Sequence, residues 1–174
     1  MSRLPLIILT AIIMLFMTSP IQAPALEVTP AEADATAVLT DIVADFEILA
    51  SVWGSTEPYG DHFITDKFTD LESAAVYLGG GFEPDLARDL AAFLLMYVPD
   101  TDRMAVIPAE FIPMIGAADL PYLQVKYISP EKVVIHRYYD DCYQPGDRYC
   151  YIIAARNCGG HWKISHLTLE PLWQ

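Results

Sequence analysis

Basic residues are scarce in this sequence. Ten lysines and arginines stand against 23 aspartates and glutamates in 174 residues, and without Arg3 the formal net charge is about −14. Such a charge repels nucleic acid and anionic lipid, and it suits a basic protein partner or cations. We therefore expect no nucleic-acid partner. The acidity is concentrated in residues 26–100, which hold 15 acidic and 2 basic residues, and solubility alone is the competing explanation for it.

Cysteine is also scarce, because the only three are Cys142, Cys150 and Cys158. Their spacing of eight is not that of a zinc site, and an odd number leaves at least one thiol unpaired in the monomer. If the loop of the last-but-one hairpin is Pro145 to Asp147, Cys142 and Cys150 lie directly opposite each other. We predict a disulfide between them, as expected in an oxidising compartment, with Cys142–Cys158 as the second choice.

A second long hydrophobic run is missing as well. The single apolar run, Leu4 to Met17, follows the basic Arg3 and precedes the small residues Ala23-Pro24-Ala25. This pattern is typical of a secretory signal, and the run is short for a membrane span. We predict cleavage after Ala25, which leaves a secreted protein without membrane contact; an uncleaved anchor is the alternative. Intact mass decides between a product that begins at Leu26 and one that begins at Met1.

Residues 26–174 are enough for one domain with a substantial core. Capping boxes at Thr29–Glu32 and Thr69–Glu72 predict two helix starts, and Pro84 predicts a third. We expect the first helix to end at about Gly54. The second should end at Leu78, with a left-handed exit over Gly79–Gly81. The third should have an apolar face that ends at Tyr97. Ser55 to Lys67 has turn residues and is predicted to be a loop.

Beyond residue 100 the hydrophobic period changes from helical to alternating. Strands are predicted at Arg103–Ile107, Tyr122–Ser129, Lys132–Tyr139, Arg148–Arg156 and His161–Leu169. Short connections indicate antiparallel neighbours. The predicted class is α+β, with N-terminal helices packed on one face of a C-terminal antiparallel sheet of about four to five strands.

Catalytic and metal-binding patterns are weak. Cys158 and His161 lie near one turn, but nothing around them is typical of a cysteine peptidase. His161 and His166 fall on opposite faces of a predicted strand, so they cannot ligate one metal, and His166 is expected to be half-buried. Asp34, Asp41 and Asp45 share one side of the first helix, where a solvated face is expected and an acidic interaction ridge is the alternative. We predict no catalytic residues, no metal and no cofactor.

The hairpin loop between the Lys132 and Arg148 strands is the candidate binding element. It carries Asp140, Asp141, Tyr143 and Asp147. Strand-connecting loops with aromatic neighbours can enter a cleft. A calcium site on the three aspartates is the weaker alternative, because their spacing matches no known calcium loop. The other tyrosines of the sheet half are expected mainly to pack across strands; they are Tyr122, Tyr127, Tyr138, Tyr139, Tyr149 and Tyr151.

The run FTDLESAAVYLGGGFEPDLARDLAAFL, then MAVIP, then a meander ending GGHWKISHLTL, resembles the IseA family of secreted D,L-endopeptidase inhibitors. The likeness covers about Val38 to Leu169. It rests on the order of hydrophobic patterns, and the three cysteines depart from the family pattern. The resemblance implies a helical half joined to a cystatin-like or NTF2-like sheet half.

The function implied by this resemblance is noncatalytic inhibition of a cell-wall hydrolase of the NlpC/P60 type, by covering its active-site cleft. An alternative is an NTF2-like domain that binds or hydrolyses a small ligand in a pocket between helices and sheet. Polar residues in that pocket, for instance His136 or His166 with an aspartate, would favour this alternative. A structural protein of the cell envelope is the third possibility.

Overall fold

The computed structural model describes residues 30–54, 56–108, 112–142 and 144–172, with side chains from residue 34 onward. The predicted signal segment and Thr29 of the first capping box lie outside the described residues. The helices are α1 (Pro30–Ala50), α2 (Leu71–Leu78) and α3 (Pro84–Leu94), with a 3₁₀ turn at Ala117–Tyr122. The strands are β1 (Thr56–Tyr59), β2 (His62–Thr65), β3 (Leu95–Val98), β4 (Arg103–Val106), β5 (Leu123–Ser129), β6 (Lys132–Asp140), β7 (Arg148–Asn157) and β8 (Trp162–Pro171).

The C-terminal strands form the predicted antiparallel meander, in the order β5-β6-β7-β8. One face of this sheet is apolar, because side chains along a strand alternate between its two sides. Val133, Ile135, Ile153 and Ile164 on that face are completely buried, and they join one core with residues of all three helices. The predicted α+β class, with helices packed on a C-terminal sheet, is confirmed.

A second antiparallel sheet, in the order β1-β2-β4-β3, corrects two predictions. Ser55–Lys67 is not simply a loop, since Thr56–Tyr59 and His62–Thr65 pair as a hairpin around Gly60. The helical pattern that runs on to Tyr97 also stops early, because Leu95–Val98 is extended and pairs with Arg103–Val106. Predicted strand Arg103–Ile107 therefore belongs to this sheet rather than to the meander.

The three helices begin close to the predicted positions. Helix α1 buries Val38, Ile42, Phe46 and Leu49 along one stripe, as its three-and-four spacing predicts. Helix α2 is capped by Asp70 rather than by Thr69: the Asp70 carboxylate accepts the Ser73 N–H at 2.7 Å, and Ser73 Oγ accepts the Asp70 N–H at 3.2 Å. Asp70, one residue after Thr69, therefore provides the side-chain acceptor for the unpaired N–H groups of the first helical turn.

The glycines after α2 serve a close approach rather than a left-handed turn. Gly79 is right-handed, and the positive-φ glycines among the described residues are elsewhere. The segment instead pairs with β8: the Ile164 N–H donates to the Gly81 carbonyl at 2.9 Å, and the Glu83 N–H donates to the Ile164 carbonyl at 2.8 Å. A Cβ on Gly81 would lie 2.6 Å from Asp45 Oδ1 of α1. Gly81 is thus the point where α1, α2 and β8 meet.

Candidate functional site

The hairpin loop between β6 and β7 is exposed and internally hydrogen-bonded. Asp147 accepts the N–H groups of Cys142 at 2.8 Å and Gln144 at 3.0 Å through its two carboxylate oxygens. Asp141 accepts the Gly146 N–H at 2.6 Å and has a positive φ of 57°, a conformation that aspartate tolerates better than most residues. The segment Asp141 to Asp147 is called here the hairpin loop, and these bonds hold its described residues on both sides of position 143.

The third predicted aspartate, Asp140, lies at the base of this loop. Its carboxylate pairs with Arg148 Nε at 2.8 Å, and the two residues are also opposite each other in the ladder. Both side chains are substantially exposed, so the pair contributes little to stability. The structure therefore places Asp140, Asp141 and Asp147 in or beside one loop, and their role in binding stays a prediction. Tyr143 lies outside the described residues.

The predicted disulfide between Cys142 and Cys150 is wrong. The ladder places Cys150 opposite Tyr138, and Cys142 lies in the loop, so the assumed three-residue connection is too short. All three cysteines are free. Burial, followed by the charge of Asp147, raises the pKa of the Cys142 thiol, and burial raises the pKa of Cys150. Both groups are therefore protonated near neutral pH and are weak nucleophiles.

A cavity of about 390 Å³ lies between α3 and the inner face of β7 and β8. Its wall is largely apolar, and its polar groups are Asp89, Tyr151 and Thr168. The lining residues are Leu86, Asp89, Leu90, Phe93, Ile112, Tyr151, Leu167, Thr168 and Leu169. Tyr151 is 2 % exposed, and its hydroxyl oxygen has no hydrogen-bond partner among the described residues. Burial raises the pKa of this hydroxyl far above its usual range, so it stays neutral.

An irregularity in β8 brings part of the cavity wall into place. The pairing of β7 with β8 shifts between Ala154 and Ala155, which face His166 and Ile164 respectively. One extra residue reverses which side chains face inward. Trp162 and Ile164 are inward before it, whereas Leu167 and Leu169 line the cavity after it.

The same shift turns His166 outward and overturns its predicted half-burial. His166 is exposed, and its Nε2 lies 2.6 Å from Thr168 Oγ1. His136 stacks beside Tyr138, with the ring centroids 6.4 Å apart. Neither histidine lines the cavity. The two histidines that would have favoured a ligand pocket are therefore absent from the lining of this cavity, and Tyr151, which was expected mainly to pack across strands, is part of it.

The prediction that Asp34, Asp41 and Asp45 form a solvated face on α1 is also wrong in part. Asp34 is exposed, but Asp45 is completely buried and neither of its oxygens has a hydrogen bond among the described residues. Asp41 accepts the Trp162 N–H at 2.8 Å. Burial first, and the charge of Asp41 second, raise the pKa of Asp45 to about 8. The Ile164 N–H and the Lys163 ammonium lower the pKa of Asp45, but by less than burial raises it.

His161 closes this cluster from the loop that precedes β8. Its Nδ1 lies 3.2 Å from Asp41 Oδ2, and its Nε2 lies 3.3 Å from Asp45 Oδ1. Both ring nitrogens therefore face carboxylates of α1. Because the thiol of Cys158 would need one of them to be activated, the arrangement does not support a Cys158–His161 nucleophile pair.

Neither a metal-binding cluster nor a membrane-spanning helix is found among the described residues. No group of three or more histidine, cysteine, aspartate or glutamate side chains in the described ranges is placed to hold a metal ion. In the hairpin loop, the carboxylates of Asp141 and Asp147 that a calcium ion would need accept backbone N–H groups instead. No helix from residue 30 onward is long and apolar enough to cross a membrane.

Most of the described tyrosines of the sheet half pack against other side chains. The Arg137 guanidinium lies between the rings of Tyr122 and Tyr139, at 4.5 and 4.6 Å from their centroids. Tyr127 meets Trp162 edge-on at 6.4 Å. These are cation–π and edge-on aromatic contacts; none of them joins residues of two paired strands, because Arg137 and Tyr139 share β6 and the strands of Tyr127 and Trp162 are not neighbours.

Comparisons of the chain with protein-family models, with curated proteins and with solved structures found no match. The likeness to the IseA inhibitors accordingly stays a prediction, as do the cystatin-like or NTF2-like descriptions of the sheet half.

Proposed function

We propose that this protein is a secreted, noncatalytic inhibitor of a cell-wall D,L-endopeptidase of the NlpC/P60 type. The observation that carries the proposal is the ordered hairpin loop, an exposed segment whose backbone is held by its own aspartates. A segment already ordered before binding loses less conformational entropy in the complex, and this favours affinity.

The proposal does not require the loop aspartates to act as free charges. Asp141 and Asp147 are occupied by backbone N–H groups, so their first role is to shape the loop. Their negative charge is still present, and with a net charge of about −14 outside the signal segment it attracts a basic enzyme surface. The choice of endopeptidase rests on the resemblance in sequence pattern.

Two substitutions separate loop shape from loop charge. Asp147→Ala removes both carboxylate acceptors and should weaken inhibition roughly 10-fold or more, because the loop must then be ordered on binding. Asp141→Asn keeps an acceptor for Gly146 and tolerates the positive φ. It should slow association roughly 2- to 5-fold at low salt, with the difference disappearing at high salt. Inhibition of a purified NlpC/P60 endopeptidase acting on cell-wall material provides the measurement.

Glu47→Gln is the matched control, because it removes one exposed negative charge from α1 and leaves the hairpin loop unchanged. It should leave the inhibition constant unchanged. Full endopeptidase activity in the presence of excess protein, at low and at moderate salt, would contradict the proposal for the enzymes tried. An equal effect of Glu47→Gln and Asp141→Asn would show that only overall charge matters and that the hairpin loop is not the contact.

A further inference from the structure

The outer face of the β5–β8 sheet, which is the side away from the helices, is apolar at its centre. In a meander with one side open to water, outward residues are normally polar. In β6 and β7 the outward residues alternate with the buried Val133, Ile135 and Ile153. Apart from His136, those between the charged strand ends are Val134, Tyr138, Cys150, Ile152 and Ala154. These two strands therefore have the continuous apolar runs of strands that are covered on both faces.

Nothing among the described residues covers this outer face as the helices cover the inner one. Neither hydrophobic cluster of the described residues includes any of the five outward apolar residues. Val134, Ile152 and Ala154 are partly exposed, and Tyr138 is 38 % exposed. A contiguous apolar patch with charged residues at its rim is typical of an interaction surface.

One end of the outer face is basic. Lys132, Arg156 and Lys163 form a row across β6, β7 and β8, each directly opposite the next in the ladder. Like charges in opposite positions destabilise a sheet. Arg156 has only a loose contact with a carboxylate, at 3.8 Å between its Nε and Glu83 Oε1. Lys132 makes no ion pair with a described residue. Acidic groups from outside this row would therefore relieve the repulsion.

The opposite end of the outer face is acidic. Asp140 points outward there from β6 and Glu170 from β8. The Asp141 and Asp147 carboxylates of the hairpin loop extend this end beyond the strands. Arg148 belongs to the same end, but it is already paired with Asp140. The face thus has opposite net charge at its two ends, with the apolar residues between them.

We infer that this outer face packs against the same face of a second copy of the chain, with a two-fold axis that crosses the strands at His136 and Ile152. These two residues are opposite each other in the ladder, midway between the charged ends. Such an axis reverses the ends of the strands, so Lys132 of one copy faces Asp140 of the other. The same surface then serves both copies, and Ile152 packs against Ile152 at the centre.

The arginines of β7 do not oppose this arrangement strongly. The axis brings Arg148 of one copy near Arg156 of the other, but each has a carboxylate of its own chain beside it, Asp140 at 2.8 Å and Glu83 at 3.8 Å. The attractive pairs of Lys132 with Asp140 occur twice in the dimer. Charge complementarity of this kind selects one orientation of the two copies over others.

The size of the face predicts a weak, reversible dimer. A strand of nine residues such as β6, in a sheet of four strands, gives a surface of about 30 Å by 19 Å. Two such surfaces bury roughly 1,100 Å² in total, which is the lower end of the range for specific interfaces. We therefore expect a dissociation constant of roughly 10 to 100 µM.

Sedimentation velocity from about 1 to 500 µM measures this association. The unmodified protein should change from monomer to dimer as its concentration rises. Ile152→Asp should weaken dimerisation at least 10-fold, because it places two carboxylates against each other in an apolar contact. Val76→Asp is the matched control, since it introduces the same charge at a 71 % exposed apolar residue of α2. It should dimerise like the unmodified protein.

A charge exchange tests the orientation of the two copies and does not depend on the folding of Ile152→Asp. Lys132→Glu and Asp140→Lys should each weaken dimerisation roughly 3- to 10-fold, because like charges then face each other twice. An equal mixture of these two variants should form a heterodimer about as well as the unmodified protein forms its dimer. In that heterodimer both contacts again join opposite charges.

Three results would each overturn the inference. They are a protein that stays monomeric at the highest concentration, a folded Ile152→Asp variant that dimerises like Val76→Asp, and a mixture of the charge variants that does not recover. The inhibitor proposal is tested separately, because Ile152→Asp leaves the hairpin loop unchanged. Inhibition by a protein that never dimerises would contradict only the dimer, and dimerisation without inhibition would contradict only the inhibitor.

Discussion

Replacing Gly81 with alanine should destabilise the fold by about 3 kcal/mol, near the upper end of the usual cost of overpacking a close contact. The new Cβ would lie 2.6 Å from Asp45 Oδ1 and 2.9 Å from Asp45 Cα. A side-chain atom can rotate away, but the Cα moves only if α1 moves. Since Gly81 also accepts the Ile164 N–H, any shift strains the junction of α1 with β8. Urea denaturation followed by circular dichroism measures the loss.

Gly116→Ala is the control, because no atom lies within 4 Å of a Cβ built at Gly116 and its backbone is extended. Its free energy of unfolding should change by no more than about 0.5 kcal/mol. Combining Gly81→Ala with Asp45→Ala should recover only part of the loss, since the contact with the Asp45 backbone persists. If Gly81→Ala were as stable as Gly116→Ala, the close approach of α1 to Gly81 would be disproved.

The second large effect concerns pH and Asp45. Its folded pKa of about 8 lies above the ordinary pKa of 3.8 for an aspartate. The folded state therefore binds a proton that the unfolded state releases, and the stabilisation from this proton is fully present below about pH 4. It is lost as pH rises toward about 8, at roughly 1.4 kcal/mol per pH unit. The groups facing Asp45 are Asp41, His161 and Lys163.

Asp45→Asn removes this titration and keeps the side-chain shape. Relative to the unmodified protein, the free energy of unfolding of the variant should increase from pH 5 to pH 8 and then stay constant. Denaturation curves at one-unit intervals test this. Glu47→Gln, which is exposed on the same helix, should follow the unmodified protein. If the difference did not change between pH 5 and pH 8, the folded state would not bind this extra proton, and Asp45 would be ionised in the folded protein.

The parts of the fold that sequence predicts are those with strong local signals. β6 and β7 have long runs of β-branched and aromatic residues, and Pro84 begins α3 at the predicted position. β1 and β3 have only four residues each. β1 contains Pro58, and β3 continues the helical pattern of α3, so only pairing with β2 and β4 makes these strands recognisable.

The candidate sites depend on geometry that no local pattern contains. The hairpin aspartates are close in sequence, so they could be predicted to share one loop. The register that separates Cys142 from Cys150 depends on the length of that loop, which the sequence pattern does not determine. Helical spacing places Asp45 beside the apolar stripe of α1, yet its burial depends on Gly81 in a distant segment. The cavity needs the shifted pairing in β8, which exchanges Leu167 for His166 on the inner face.

The contact of α1 with β8 also determines when the protein can finish folding during synthesis. The Trp162 N–H and the Asp41 carboxylate that it reaches are separated by 121 residues. A ribosome completes α1 early, whereas the strands that pack against it, β7 with Tyr151 beside Phe46 and then β8, are made much later. The apolar side of α1 therefore has no sheet to pack against until these strands have emerged. Chains that stop before Trp162 should lack a stable α1, whereas the hairpin of β6 and β7 can pair as soon as Asn157 is free.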